Sequence, residues 1–368
     1  MKGFNKLFTL VLSVSVLINS FFVLNTTAHS QENITAYENI AIDEIEKVLC
    51  DSYSKFYDIN SVISEAANSI IDEDTFTTEI HTTLNTVLKA KSAQELPFVQ
   101  GMIQASDSFN IKSPLSDNNR EEISTFIENK VADLEKYIGM SSDSNFWLYV
   151  DAKIVNGSLD LKTLNIMAEN IDRLVPINDI LPASAAEQME DGISQMTSVI
   201  DKAVITNKTT EIAPNAYTAY RRIAARDYAL SFVGKNVSKC YKHGTSCGVY
   251  QDPTQYNANF SYFLHNDCAN FVSQCLNAGD VWSDSVWYPD SYAWVNTQGL
   301  KNYMLSNKGY WYASSYADAN AGAVLYTSSS HVVLITLNDT VTHRFTGHTN
   351  DRYNVAFTHQ SGYAYYML

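Results

Sequence analysis

Apolar side chains in the first half of the chain recur mostly every three or four residues, a period typical of helices. Helices are predicted over residues 36–57, 61–92, 116–138 and 164–203. Ser116 or Asp117 is suited to begin the third of these, because both side chains accept hydrogen bonds from free helix N–H groups. Residues 146–163 differ: two apolar runs flank Asn156-Gly157, a pair that favours a tight hairpin turn.

The second half of the chain has short helical patterns first and short apolar strands afterwards. Helices are predicted over residues 216–233, 267–278 and 294–307, and strands over residues 323–326, 332–337, 342–346 and 363–368, the last at a sheet edge. Helices followed by neighbouring strands are typical of an α+β domain with an antiparallel sheet.

Charge and aromatic content divide the chain into the same two parts. Residues 31–213 carry 31 acidic and 13 basic side chains, whereas residues 214–368 carry 9 and 10, and 18 of the 23 tyrosines. We therefore predict an acidic, mainly helical module over residues 31–205, a linker over residues 206–214 and a second domain over residues 215–368. Neither part has a basic patch, which argues against nucleic-acid binding.

The first thirty residues have the order of a secretory signal. Lys2 and Lys6 precede an apolar run, and Ala28-His29-Ser30 offers the small side chains that a signal peptidase requires. We therefore expect export, with the mature chain beginning near Gln31. No later run reaches the roughly 18 apolar residues of a membrane span, so no stable span is expected after cleavage.

The five cysteines are too widely spaced to suggest a zinc site, which needs closely paired ligands. Export permits disulfides, and Cys240 and Cys247 are near enough in sequence to close a small ring. The sequence predicts neither a metal nor an organic cofactor.

The segment around Cys268 has the strongest chemical signal. Asp267 is suited to cap the helix over residues 267–278, which places Cys268 in its first turn. Free N–H groups and aligned peptide dipoles at a helix start favour a thiolate, and they can hold the oxyanion formed when that thiolate attacks a carbonyl. Cys275 lies on the apolar side of this helix and is expected in the core.

A nucleophilic thiolate needs a base and a group that orients the base. His331 stands at the first residue of an apolar strand after three serines, and we predict that it is the base. His343, His348, Asn350 and Asp351 are the candidates for the orienting group. Alternation along a straight strand places His343 and His348 on opposite faces, so sequence alone leaves this choice open.

These residues resemble the putative amidase domain, a family of secreted proteins of Gram-positive bacteria. Asp267-Cys268-Ala269-Asn270-Phe271-Val272-Ser273-Gln274 is similar to the family's D-C-x-N-F-V-S-Q segment, and His348-Thr349-Asn350-Asp351 to its closing H-T-x-D. Residues 220–229, 294–303 and His331 also stand in the family's order, and the similarity covers about residues 216–357. One departure is Gly322-Ala323, where the family often has Gly-Asp.

The resemblance implies a papain-like fold in which a helix carrying the cysteine packs on an antiparallel sheet. It implies hydrolysis of an amide or peptide bond through a thioester, with peptidoglycan or a cell-wall peptide as the substrate. It favours Cys268, His331 and His348 as the catalytic residues; likeness to peptidoglycan endopeptidases favours His343 as the third. The alternative is a protein that binds the cell wall without catalysis on a degenerate hydrolase fold.

Overall fold

The computed structural model describes residues 31–112, 116–206, 219–235 and 249–368. The helices are α1 (Gln31–Tyr53), α2 (Pro97–Lys112), α3 (Asp117–Leu134), α4 (Ile177–Ile180), α5 (Ala185–Thr206), α6 (Arg222–Ser231), α7 (Cys268–Ala278), α8 (Tyr292–Val295) and α9 (Thr297–Asn302). The strands are β1 (Tyr57–Asp72), β2 (Thr75–Leu88), β3 (Ser142–Val155), β4 (Ser158–Asn170), β5 (Arg173–Pro176), β6 (Tyr312–Ser314), β7 (Val324–Tyr326), β8 (Val332–Asn338), β9 (His343–Gly347), β10 (Arg352–Phe357) and β11 (Ala364–Met367).

Several predicted features fall outside the described residues. These are the signal over residues 1–30, the linker after its first residue, and the Cys240 and Cys247 ring. No helix in the described ranges is both long and apolar enough to pass through a membrane.

One sheet runs through both halves of the chain. Its strand order is β1-β2-β3-β10-β9-β8-β7-β11-β6, and β4 and β5 continue from β3 as a branch. The strand pairings among the described residues are antiparallel except that of β3 with β10, where Asn145 pairs in parallel with Val355. The prediction of an α+β fold with an antiparallel sheet is therefore confirmed, with the N-terminal strands as a continuous part of it.

The prediction of helix over residues 61–92 is wrong, because β1 and β2 form a long antiparallel hairpin there. Along β2 every second side chain is buried, starting at Phe76. Three of the buried positions hold threonine: Thr78, Thr82 and Thr86. Because threonine counts as polar in a hydropathy pattern, these residues obscured the alternation of buried and exposed positions along the strand. Threonine is nevertheless well suited to a strand because it is β-branched. The description of the module as mainly helical is corrected accordingly.

The predicted hairpin at Asn156-Gly157 is confirmed, with Val155 paired to Ser158 across it. Asn156 and Gly157 both have positive φ, at 54° and 77°, as this kind of two-residue turn requires. The helix predicted over residues 164–203 is wrong in its first part, where β4 continues and β5 follows. The helix α3 begins as predicted, with the Ser116 side chain accepting a hydrogen bond from the N–H of Asn119.

Helices α2 and α5 cross with their backbones in contact. A Cβ atom added at Gly192 would lie 1.9 Å from the carbonyl oxygen of Phe98, and one added at Gly101 would lie 2.0 Å from that of Met189. Each helix therefore presents a glycine at the point where the other passes, and neither position has room for a side chain.

Replacing Gly192 by alanine should separate α2 from α5. Backbone atoms cannot rotate away as a side chain does, so we expect a loss of about 3 kcal/mol in the free energy of unfolding, despite alanine's better helix propensity. Urea denaturation measures this change. Ser198→Ala, at an exposed position of α5, is the matched control and should leave stability nearly unchanged. Equal stability of Gly192→Ala and the wild type would contradict the close crossing.

In the second half, the sheet separates two apolar clusters. Helix α7 packs on one face, where Phe271, Val272 and Cys275 meet Val332 and Leu334. The other face carries a different set that includes residues of the N-terminal half: Trp147, Ile171, Val333, Ile335, Phe345 and Val355. The prediction that residues 363–368 form an edge strand is corrected, because β11 lies between β7 and β6.

Candidate active site

Cys268 is the first residue of α7 and lies beside the start of β8, with 8% of its surface exposed. The N–H groups of Ala269 and Val332 and the hydroxyl of Thr349 are close enough to the sulfur to lower the pKa of the thiol. Burial acts more strongly in the opposite direction, so the pKa of Cys268 is raised overall. The sequence predicted that the helix start would lower this pKa; the donors are present, but desolvation outweighs them.

Thr349 contacts both the sulfur of Cys268 and the backbone of Asp267. Its Oγ1 accepts a hydrogen bond from the N–H of Asp267 at 3.1 Å, which leaves the hydroxyl proton available for the sulfur of Cys268. The backbone of Thr349 has a φ of 90°, a conformation uncommon for a residue with a side chain. Such a conformation persists where the surrounding contacts fix it, as they do here.

His348 forms a buried ion pair with Asp267. Its Nδ1 lies 2.6 Å from Asp267 Oδ2, and its Nε2 donates to the carbonyl oxygen of Phe232 at 2.8 Å. The imidazole is stacked between the rings of Tyr256 and Phe271, at centroid distances of 3.9 and 3.8 Å. Both ring nitrogens are engaged, so neither is free to take a proton from Cys268.

Asp267 occupies the N-cap position of α7 but does not cap the helix with its side chain. Its Oδ1 instead accepts hydrogen bonds from the N–H of Phe263 and from Nδ2 of Asn270, at 2.8 and 2.9 Å. The predicted cap is therefore corrected: with His348 on its other oxygen, this carboxylate ties the helix start to the preceding loop and to the end of β9.

The structure brings the backbone at His331, but not its imidazole, to the sulfur. Val332 packs in the same cluster as Cys268, whereas Val333 belongs to the cluster on the opposite face. Because side chains alternate along a strand, the imidazole of His331 faces the same side as Val333. Among the described residues, no hydrogen bond joins this imidazole to the sulfur of Cys268.

The surroundings of His331 make its imidazole a weak base. Burial lowers the pKa to about 4; the carboxylates of Asp172 and Glu169 act in the opposite direction, and the guanidinium of Arg352 adds to the lowering. The side chain is consequently neutral at neutral pH, with a nitrogen able to accept a proton.

The other three candidates for the orienting group lie elsewhere. His343 stacks on Tyr316 at 3.8 Å, at the far end of β9, and burial lowers its pKa to about 3. Asn350 accepts a hydrogen bond from the N–H of Tyr250, and Asp351 accepts one from the N–H of Asp252 and another from the hydroxyl of Tyr256. Asn350 and Asp351 thus hold the loop that covers His348.

Two buried tryptophans of this half, Trp287 and Trp294, stabilise α7. Trp294 Nε1 donates to Asn270 Oδ1 at 2.9 Å, and Trp287 Nε1 donates to Ser273 Oγ at 3.3 Å. The N-F-V-S part of the motif therefore fixes the helix within its domain. In the described residues, no group of three or more His, Cys, Asp or Glu side chains converges as a metal site.

Sequence reasoning missed two contributors to the site. Thr349 lies inside the recognised H-T-x-D segment, so the motif itself held the signal that its hydroxyl matters. Asp172 comes from the turn between β4 and β5 of the N-terminal half and acts on the imidazole of His331. Nothing near Asp172 in the sequence indicates a role at a site in the other half of the chain.

Comparison with known proteins finds a family match in the second half of the chain. Residues 219–368 match the model of the family described as "Putative amidase domain", which confirms the resemblance drawn from the motifs. At the level of this family, the match supports an enzyme that hydrolyses an amide bond.

A short segment is similar to a protein of Bacillus subtilis (strain 168), "Uncharacterized protein YjcM". The two are 42% identical over 53 residues, which is 14% of this chain and 13% of that protein. The similarity thus spans about an eighth of the relative's length. No solved structure matches the chain.

Proposed function

We propose that this protein is a secreted cysteine hydrolase of papain-like design that cleaves an amide or peptide bond of cell-wall peptidoglycan. The observation that carries the proposal is the position of the Cys268 sulfur. It lies at the start of α7, with the N–H groups of Ala269 and Val332 and the hydroxyl of Thr349 around it. Such donors stabilise a thiolate, and after its attack they are placed to stabilise an oxyanion.

In the proposed reaction, the imidazole of His331 takes the proton of the Cys268 thiol, and the thiolate attacks the carbonyl carbon of the substrate. The tetrahedral intermediate collapses to a thioester as the imidazole returns the proton to the departing amine. Water then attacks the thioester, releasing the acid and restoring the thiol. The neutral state of His331 suits the first step, for which its ring must turn from the face of Val333 toward the sulfur.

His348 has a positioning role in this scheme. Its ion pair with Asp267 fixes the backbone from which both Cys268 and the helix N–H groups extend. The hydrogen bond from Asp267 to Thr349 sets the third donor at the sulfur. His348 therefore acts on the geometry of the nucleophile and not on the proton of the thiol.

The expected export and the likeness to the family support this substrate class. An exported amide hydrolase of a Gram-positive bacterium meets cross-linked wall peptides as its most abundant amides. The acidic N-terminal half repels the anionic polymers of the wall, which favours the peptide part of the wall as the substrate.

Digestion of purified Gram-positive peptidoglycan tests the proposal. The wild type should release fragments with new amino and carboxyl ends, identified by mass spectrometry, whereas Cys268→Ala should release none above background. Cys275→Ala is the matched control, because Cys275 is buried in the core away from the donors; it should retain cleavage if it remains folded. Identical products from the wild type and Cys268→Ala would refute the proposal.

A binding protein without catalysis is the second candidate. Two observations favour it: the raised pKa of Cys268 and the orientation of the His331 imidazole. Binding of the wild type and Cys268→Ala to insoluble peptidoglycan, with equal affinity and no fragments released, would favour this candidate over the hydrolase.

A further inference from the structure

The turn between β4 and β5 lies directly against the segment that carries His331. Asn170 and Arg173 pair at the base of the turn, and Ile171 at its tip has a φ of 65°. Ile171 is buried in the apolar cluster that contains Val333 and Ile335. The N-terminal half thus reaches the same face of the sheet to which the imidazole of His331 points.

A chain of hydrogen bonds runs from this turn to the backbone of His331. The Ser329 hydroxyl donates to Asp172 Oδ2 at 2.8 Å and lies 2.7 Å from the hydroxyl oxygen of Thr327. The Thr327 oxygen in turn accepts the N–H of His331 at 3.3 Å. Asp172 is therefore connected through two side chains to the residue proposed as the base.

Further contacts fix the turn in this place. The hydroxyl of Tyr363 donates to Asp172 Oδ1 at 3.0 Å, and Arg173 Nη2 donates to Ser328 Oγ at 3.3 Å. Asn170 exchanges hydrogen bonds with the backbone of Thr358, at 3.1 Å in each direction. Three separate segments of the second half therefore bind one turn of the first half.

The charges around His331 come from both halves of the chain. Glu169 and Asp172 belong to the N-terminal half, and Arg352 begins β10. Arg352 forms a two-pronged ion pair with Glu169, with both distances at 2.6 Å, which largely balances the charge of that carboxylate. Asp172 also has a cationic neighbour, Arg173, but that guanidinium is more exposed to solvent. Asp172 is consequently the carboxylate with the stronger effect on His331.

We infer that Asp172 is a positioning residue for His331, supplied by the N-terminal half to the site that contains Cys268. The inference rests on the proposed role of His331 as the base. Asp172 holds the turn from Thr327 to Ser330 in place. It thereby fixes the position of the His331 backbone, from which the imidazole must turn toward the sulfur. Its charge also favours the imidazolium that the proposed proton transfer creates.

The test measures alkylation of Cys268 by iodoacetamide in the full-length mature protein, resolved by peptide mass spectrometry, from pH 5 to 10. Asp172→Asn removes the charge that supports the imidazolium. Transfer of the thiol proton to the imidazole then becomes less favourable, so labelling at neutral pH should slow about tenfold, as for a fall of about one unit in the pKa of His331. Labelling at the alkaline end of the range, where the thiol loses its proton to solvent, should change much less. Ser329→Ala keeps the charge but breaks the chain at an exposed residue; it should slow labelling at neutral pH severalfold.

Two reference variants make the outcome decisive. His331→Ala should slow labelling at neutral pH at least as much as Asp172→Asn. Asp74→Asn, the same substitution at an exposed ion pair with Lys153 in the N-terminal half, should match the wild type. If His331→Ala slows labelling at neutral pH while Asp172→Asn and Ser329→Ala do not, the positioning role is overturned and the proposed base remains. If His331→Ala matches the wild type, the base assignment fails and this inference fails with it.

Discussion

Expressed without residues 31–206, the C-terminal half is expected to remain unfolded or to aggregate. Removal of the first half uncovers the apolar face that Trp147 and Ile171 cover, and it leaves β10 as an open edge next to Val355. It also leaves the buried guanidinium of Arg352 without Glu169. An exposed apolar face, an open edge and an unpaired buried charge each disfavour the isolated fold.

Circular dichroism and size-exclusion chromatography of residues 215–368 measure this outcome, with the mature full-length chain as the control. Adding residues 31–206 as a separate fragment should restore a folded complex, because the interface itself remains intact. A soluble, monomeric fragment 215–368 with a cooperative thermal transition would contradict the prediction. It would also show that the first half is removable, as a regulatory pro-segment would be.

His348→Ala is expected to destabilise the protein by about 3–5 kcal/mol. Asp267 is fully buried, and loss of its partner leaves a carboxylate that neither water nor another cation reaches. The stacked rings of Tyr256 and Phe271 also lose the surface between them, and the cavity that remains adds to the cost. Denaturant unfolding at neutral pH measures the change.

A second substitution separates the two causes of that loss. Asp267→Asn in the His348→Ala background removes the unpaired charge but keeps the cavity, so part of the lost stability should return. His359→Ala, at a less buried histidine bonded to the Tyr365 hydroxyl, is the control and should cost far less. A His348→Ala protein as stable as this control would mean that the ion pair contributes nothing to the fold.

The helix that carries Cys268 was predictable because its signal is local. Phe271, Val272 and Cys275 mark its apolar side within two turns, and the structure begins the helix at Cys268. The strand after His331 was predictable for the same reason, as a short run of β-branched and aliphatic residues. Motif order added what periodicity did not supply, namely that these two elements belong to one site.

Other features could not be predicted from the sequence because they depend on contacts between residues that are far apart in the chain. The face on which the imidazole of His331 lies follows from the register between β7 and β8, where Tyr326 pairs with Val332. A shift of one residue would reverse it, and no local pattern fixes that register. The choice of orienting group for His331 was likewise open, because four side chains in one short segment offered similar chemistry.

The union of β3 with β10 also affects how the chain reaches its native state. Asn145 Nδ2 donates to the carbonyl oxygen of Tyr353, a contact between residues 208 apart in sequence. Closing a loop of that length costs entropy before any contact compensates, and chains rich in such pairings fold slowly. The long β1–β2 hairpin and its helices can assemble first from local contacts, and they then offer a template on which the later strands dock. The nucleophile is therefore expected to reach its final geometry among the last events of folding.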